Sequence, residues 1–216
     1  MRPRMIITAG PPGSGKSTAF PVQEEGVDFF NADDRAAQLN GGSYQNIPEL
    51  IRAQVNKEFE AFVLTHIERR ESFALETTLR SDITLRQARQ ARAWGFETTM
   101  TYIALDDVTL NVERVSARAD AGGHSAPESK LREIHTQSLA NLPIALAEID
   151  YAQVYDNSRE PELVMETQNG LVTYLAERTP EWLEKALQET DYEITDDLRS
   201  KTSGQLDRDH IDDFER

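Results

Sequence analysis

The segment from Met5 to Thr18 limits what this chain can fold into more than any other part of it. A short apolar run at 5–9 leads directly into the sequence G-x-x-x-x-G-K-S at 10–17. Glycines at this spacing let the backbone curve around an anion, and the helix that follows directs its N-terminus at the same anion. The pattern therefore predicts a strand, a phosphate-binding loop and a helix in immediate succession.

The residues of this loop have distinct expected roles. Lys16 is expected to reach the β- and γ-phosphates of a nucleoside triphosphate, and the Ser17 hydroxyl is expected to bind Mg²⁺. A glycine-rich turn with an incidental lysine is the alternative, which a complete motif directly after a strand disfavours. The predicted nucleotide-binding residues are consecutive in the chain: Gly10, Pro11, Pro12, Gly13, Ser14, Gly15, Lys16, Ser17 and Thr18.

Composition excludes several other classes of protein. The chain has 216 residues and a formal net charge of −15, so it is long enough for one α/β domain and too acidic for a large nucleic-acid footprint. It contains no cysteine, which excludes disulfides and thiolate metal sites. The apolar runs are too short to span a bilayer, and the basic start is followed by too few apolar residues for a signal peptide. We therefore expect a cytoplasmic protein that binds neither membranes nor nucleic acid.

Strand and helix patterns alternate along the chain. This alternation predicts an α/β, three-layer P-loop NTPase fold, in which a five-stranded parallel sheet is flanked by helices. The predicted strands lie at 5–9, 27–30, 72–75, 96–105 and 151–155. The predicted helices lie at 34–39, 48–70, 83–94, 108–119, 127–146 and 161–177, with a short one after 180, and Pro21 is expected to shorten or kink the helix after the loop.

Polar residues follow three of these strands, at the sheet edge where open α/β folds bind ligands. Asp33 follows the second strand and is expected to act as a general base or as a Mg²⁺-associated carboxylate. The alternative is that it caps the helix at 34–39. The segment 76–80 follows the third strand, and Asn157 lies just after the fifth.

Two arginines, Arg114 and Arg118, are one turn apart on a predicted helix and therefore share a face. Solvated surface arginines are the alternative, but the glycines at 122–123 make a hinge beside them plausible. We predict a lid at about 114–135, which also contains Arg132 in the first turns of the next helix.

These motifs, in this order, resemble the zeta-toxin family of P-loop kinases, in particular its small members described as predicted ATPases. The resemblance covers about 5–185. It rests on five sequences: G-P-P-G-S-G-K-S-T, F-F-N-A-D-D, E-T-T-L-R, G-G-H-S-A-P-E and Y-D-N-S.

The resemblance implies an ATP- and Mg²⁺-dependent kinase that phosphorylates the 3′-hydroxyl of the amino sugar in UDP-N-acetylglucosamine. It makes Asp33 the base on that hydroxyl, in contact with the substrate. It implies that Glu76, Thr78 and Arg80 bind the sugar nucleotide, with Thr77 in place of the family's glycine. It also implies that Arg118 and Arg132 join Lys16 in neutralising the transition state, that Asn157 contributes to nucleotide binding, and that an antitoxin protein can be a partner.

The residues alone are also compatible with two other functions. One is a kinase of this fold that acts on a nucleoside, an antibiotic or another small alcohol. The other is a nucleotide-hydrolysing ATPase switch, which would usually show a hydrophobic strand ending in aspartate beside the loop. Glu76 can substitute for that aspartate. In each case we expect residues 1–190 to form the P-loop domain and 191–216 to be an acidic, disordered tail.

Overall fold

The computed structural model describes residues 2–120, 123 and 126–188. It contains one sheet of seven strands in the order β2-β3-β1-β4-β5-β6-β7. The strands are β1 (Arg4–Ala9), β2 (Asp28–Phe30), β3 (Phe73–Thr77), β4 (Glu97–Ala104), β5 (Tyr151–Asp156), β6 (Glu162–Gln168) and β7 (Leu171–Leu175). The helices are α1 (Lys16–Ala19), α2 (Ala32–Leu39), α3 (Glu49–Arg69), α4 (Ile83–Ala93), α5 (Val108–Asp120), α6 (Glu128–Glu148) and α7 (Glu181–Gln188), with a 3₁₀ turn at Val22–Glu25.

The first five strands are parallel, and β1 lies between β3 and β4. This confirms the predicted α/β fold with flanking helices. The register pairs Ala9 at the end of β1 with Thr77 at the end of β3, so the polar segments after both strands meet at one edge. As expected from Pro21, α1 is only four residues long.

The predicted number of strands is wrong, because the segment 161–177 is a β-hairpin and not a helix. β6 pairs antiparallel with β5 and with β7. Asn169 and Gly170 form the turn, both with positive φ (51° and 77°). Asn-Gly favours the two-residue turn that joins antiparallel strands, and this local preference decides the structure of the segment.

Most of the core lies on one face of the sheet. There the alternate residues of β1, such as Met5 and Ile7, pack with side chains of α3, α4, α6 and α7. The opposite face carries a smaller cluster, in which Ile6 and Ala74 contact Val22 of the 3₁₀ turn. The helices therefore flank the sheet unequally, and the long helices α3 and α6 extend from the main core toward the edge that carries the polar segments.

None of the helices in the described part of the chain combines the length and the apolar character that a bilayer crossing requires. The predicted tail at 191–216 lies outside the described residues, as do Gly122 of the predicted hinge and Ser125 before α6.

Candidate active site

The loop after β1 comes very close to neighbouring backbone at two glycines. A Cβ atom on Gly10 would lie 2.0 Å from the carbonyl oxygen of Ile103, and one on Gly13 would lie 2.5 Å from that of Asn111. Both glycines have positive φ, 141° and 77°. The motif therefore needs glycine here because a side chain would collide with the surrounding fold as well as strain the backbone.

Three residues from distant parts of the sequence hold this loop in shape. The backbone N–H of Gly10 donates to the carbonyl of Thr77 at 3.2 Å. The side-chain amide of Asn111 donates to the carbonyl of Pro12 at 2.8 Å, and that of Asn157 donates to the carbonyl of Ser14 at 2.8 Å. Asn157, which the sequence suggests as a nucleotide-binding residue, thus has its amide engaged in supporting the loop.

Lys16 is nearly buried, with 7% of its surface exposed. Its Nζ donates to the carbonyls of Gly10 (2.9 Å) and Pro11 (3.0 Å) and lies 3.9 Å from Oε1 of Glu76. Burial lowers the pKa of Lys16, and the carboxylates of Glu76 and Asp33 oppose this shift. The ammonium group therefore lies at the loop that would hold phosphates, among groups that favour its charged form.

Glu76 lies within β3, which extends two residues beyond the predicted 72–75. It pairs in register with Thr8 of β1. Its Oε2 is buried and has no hydrogen-bond partner within the described residues. Burial raises the pKa of Glu76, although the charge of Lys16 acts in the opposite direction. A buried carboxylate oxygen without a donor is costly for the fold and is available to a ligand.

Asp33 lies in the first turn of α2. The residue that caps this helix is Asn31, whose Oδ1 accepts from the N–H groups of Asp33 (3.0 Å) and Asp34 (3.2 Å). The alternative interpretation of Asp33 as the helix cap is therefore wrong. Its carboxylate is exposed and takes part in the electrostatic environment of both Lys16 and Glu76.

A cavity of about 550 Å³ at the carboxyl edge of the sheet brings most of the predicted site residues together. The wall nearest β1 is the phosphate end, formed by the loop and the start of α1. We name the remaining wall the acceptor end; it is formed by the starts of α2, α4 and α6, by α3, by α5 and by the segment after β3. The predicted residues that line the cavity are Pro12, Gly13, Gly15, Lys16, Ser17, Thr18, Asp33, Glu76, Thr78, Arg80 and Arg118.

The arginines of the predicted lid are placed differently from one another. Arg114 and Arg118 both line the cavity, and Arg114 donates to the carbonyls of Asn157 (3.1 Å) and Ser158 (3.3 Å). Arg132 is exposed and pairs with Glu128 one turn earlier on α6, at 2.8 Å. Its neighbours Leu131 and Ile134 line the cavity in its place, so the structure does not bring Arg132 to the site.

A polar stripe also lines the cavity, on α3, a helix to which the sequence analysis assigns no functional residue. The stripe consists of Arg52, Asn56 and Glu60 at four-residue spacing, beside Phe59. The periodic apolar residues of α3 indicate which face is buried. The same periodicity, applied to its polar residues, would have identified a second face directed at a ligand.

A family model described as an AAA domain matches residues 5–138, more than half of the chain. The chain belongs to this family. An uncharacterized protein of Haemophilus influenzae is 31% identical over 131 residues, which cover 59% of this chain and 89% of that protein. A protein of Synechococcus named peptidyl-tRNA hydrolase is 27% identical over 146 residues, covering 66% of this chain and 64% of that protein.

Solved structures with a similar fold include one from the PezAT chromosomal toxin–antitoxin system of Streptococcus pneumoniae. It has a TM-score of 0.57 and 18% identity, covering 96% of this chain and 86% of that one. The AvrRxo1-ORF1:-ORF2 complex with ATP has a TM-score of 0.64 and 12% identity, covering 90% of this chain and 65% of that one. At these identities the likeness establishes the fold alone, and it confirms the predicted α/β P-loop fold.

Proposed function

We propose that this protein is an ATP- and Mg²⁺-dependent kinase that transfers the γ-phosphoryl group to a hydroxyl of a sugar nucleotide, with the 3′-hydroxyl of UDP-N-acetylglucosamine as the most suitable first acceptor. One observation carries the proposal: Lys16, Asp33 and Arg118 line one cavity with Glu76, Thr78 and Arg80. The first three have the charges that phosphoryl transfer needs, and the last three match the sugar-nucleotide segment of the zeta-toxin family.

The phosphate end supplies donors to a phosphate chain. The N–H groups of Lys16 and Ser17 start α1 and are available to a phosphate, whereas those of Thr18 and Ala19 already donate to the carbonyl of Gly15. Lys16 can exchange its bonds to the loop carbonyls for bonds to phosphate oxygens, since the same ammonium group makes both. Ser17 and the unpartnered oxygen of Glu76 are hard oxygen donors of the kind that Mg²⁺ prefers, so the residues present fit the metal. Bound Mg²⁺ would neutralise charge on the phosphates.

Asp33 is the group on this cavity wall best suited to accept the proton of the acceptor hydroxyl. It is exposed and lines the cavity, and because Asn31 caps the helix, the Asp33 carboxylate has no capping role. Phosphoryl transfer depends mainly on positioning and charge, so a single carboxylate that orients and deprotonates the alcohol is sufficient.

The acceptor end favours an anionic acceptor. Arg52, Arg80 and Arg118 line the cavity, and within the described residues none of them has a carboxylate partner. Acidic residues outnumber basic ones 38 to 23 in this chain, so three unpaired arginines around one cavity are a notable concentration. Guanidinium groups bind phosphate oxygens in bidentate geometry, which suits the diphosphate of a sugar nucleotide.

The proposal is tested by measuring ADP release and phosphorylated product with ATP, Mg²⁺ and a panel of acceptors. The panel contains UDP-N-acetylglucosamine, free N-acetylglucosamine, uridine and an aminoglycoside. We expect product only with the sugar nucleotide. Product with another acceptor would preserve the kinase and overturn the substrate assignment. ADP release that is equally fast without acceptor, and yields no phosphorylated product, would instead support the ATPase switch.

We also propose a partner protein that acts as an antitoxin. The support is indirect, since similarly folded chains come from a toxin–antitoxin system and from a two-component complex. Co-expression with the product of an adjacent gene, followed by size-exclusion chromatography and the ADP assay, tests it. An inhibited complex is expected, and free, fully active protein in the presence of that product would contradict it.

A further inference from the structure

The short turn between Thr78 and Arg80 has an unusual backbone. Leu79, which separates these two cavity-lining residues, has φ of 55° although it is not glycine. Residues with a Cβ adopt this left-handed conformation at an energetic cost, and single cases at functional sites persist when surrounding contacts impose them. The contacts around Leu79 should therefore reveal what the conformation achieves.

Three contacts hold Leu79 in place. Its side chain is 1% exposed and belongs to the main core cluster. Its N–H donates to Oγ1 of Thr77 at 3.2 Å. Its carbonyl accepts from the side-chain amide of Asn141 on α6 at 2.9 Å. With the side chain anchored on one side and both backbone polar groups bonded, the residues before and after Leu79 are directed into the cavity.

Thr77 stands where the resemblance to the zeta-toxin family leads one to expect glycine, and its hydroxyl makes bonds that glycine lacks. Besides accepting from Leu79, Oγ1 accepts from Oγ1 of Thr84 at the start of α4, at 3.3 Å. The backbone carbonyl of Thr77 accepts from Gly10 of the phosphate-binding loop at 3.2 Å. The turn is thus connected to the phosphate end through Thr77 and to α6 through Asn141.

We infer that Thr77 and Asn141 are positioning residues for the acceptor: they hold Leu79 in the left-handed turn and thereby fix the directions of Thr78 and Arg80. Neither residue needs to touch the acceptor for this role. The assignment of the acceptor rests on the proposed function, whereas the turn itself is a property of the fold. Loss of either hydrogen bond should let the strained turn relax and should weaken acceptor binding, while the phosphate end stays intact.

The first test compares Asn141→Ala with Gln137→Ala. Gln137 lies one turn earlier on α6, and within the described residues its amide bonds only to Glu133 of the same helix, so it is a matched control. We expect Asn141→Ala to raise the KM for UDP-N-acetylglucosamine about three- to tenfold, as expected for the loss of one hydrogen bond. The KM for ATP and the acceptor-free ADP release should remain at wild-type values in both variants. An unchanged KM for the acceptor, or an equal rise in the KM for ATP, would overturn the inference.

Thr77→Ser and Thr77→Val provide a second, independent comparison. Serine keeps the hydroxyl and should preserve the KM for the acceptor, whereas valine has the shape of threonine without the hydroxyl and should raise it. Equal KM values in the two variants would contradict a role for the hydroxyl.

If the wild-type protein does not phosphorylate UDP-N-acetylglucosamine, the proposed function fails, and a crystal structure of the Asn141→Ala variant decides the inference about the turn. Departure of Leu79 from the left-handed region would support it. Leu79 unchanged at positive φ would overturn it.

Discussion

The two ends of the cavity are built in different ways. The phosphate end consists of backbone groups and side chains that are almost fully buried, such as Lys16, Asn111 and Asn157, with 7%, 2% and 8% of their surfaces exposed. The acceptor end also includes exposed side chains, such as Arg52 and Arg80, from separate elements of the fold.

This difference separates the residues that the fold fixes from those that can be substituted without disturbing the fold. The loop at the phosphate end is held by backbone hydrogen bonds and close packing, so most substitutions there would disturb the structure. The exposed side chains at the acceptor end project from α3 and from the segment after β3, and they are not part of the core. The same fold can therefore keep one phosphate donor and change its acceptor through surface substitutions.

Substitution of Asp33 by asparagine should distinguish most clearly between an effect on phosphoryl transfer and an effect on ATP binding. Asparagine keeps the size of aspartate but cannot take a proton, so phosphoryl transfer should fall by roughly 10²–10⁴ while the KM for ATP changes little. Steady-state kinetics with both substrates measures this. Asp34→Asn is the control, because the Asp34 carboxylate accepts from the Tyr44 hydroxyl at 2.8 Å. Equal activity of Asp33→Asn and wild type would remove Asp33 from the mechanism.

Lys16→Ala acts on the phosphate end itself. Loss of a preorganised charge in such a site should lower the rate by roughly 10²–10³. Lys57→Ala, which removes an exposed lysine of α3, should leave the rate unchanged. Circular dichroism should show both variants folded. Wild-type turnover by Lys16→Ala would contradict the assignment of the loop.

The pair Arg118→Ala and Arg132→Ala tests the two arginines that sequence resemblance treats alike. Arg118 lines the cavity, so its loss should lower the rate of transfer about 10- to 100-fold, the effect of one charged hydrogen-bonding group. Arg132 pairs with Glu128 away from the cavity, so its loss should have little effect. The reverse order of effects would show that α6 turns Arg132 toward the substrate when ligands bind.

Glu76→Gln tests the stability of the fold, and the expected change in stability is the smallest of these effects. Burial raises the pKa of Glu76, so the ionised carboxylate opposes folding. The wild-type free energy of unfolding should therefore fall as pH rises from the usual glutamate range through the folded-state pKa. The glutamine variant has no carboxylate to ionise here, so its free energy of unfolding does not fall in this way. At neutral pH it should be more stable than wild type by on the order of 1 kcal/mol.

Thermal unfolding across a pH series measures this difference, which should vanish below the usual glutamate pKa. Glu60→Gln makes the same change of charge at an exposed cavity position and should show little difference. A Glu76→Gln variant that is less stable at neutral pH would contradict the electrostatic account of Glu76.

The sequence predicts the phosphate end well because all of its signals are consecutive residues. The glycines, Lys16 and Ser17 lie within one motif, and a strand precedes it. The sequence predicts a helix at 161–177, where the structure has the hairpin of β6 and β7, although Asn169-Gly170 is a strong local turn signal. The apolar residues of this segment also fit a helical period. The pairing with β5 favours the strand, but this is a long-range contact that the local sequence does not reveal.

The acceptor end is harder to predict because its residues converge only after folding. Arg52 and Glu60 line the same cavity as Arg80 because α3 packs against the sheet. The orientation of α6 likewise depends on its contacts, which turn Ile134 toward the cavity and Arg132 away from it. The catalytic and binding roles of all these residues remain predictions.

The hydrogen bonds that hold the phosphate-binding loop have a consequence for how the protein is made. The loop at 10–17 is synthesised before all of its supports, which are Thr77, Asn111 and Asn157. Translation must therefore proceed past Asn157 before the last support can form. A nascent chain therefore carries this motif well before it carries the residues that hold the loop in its folded shape.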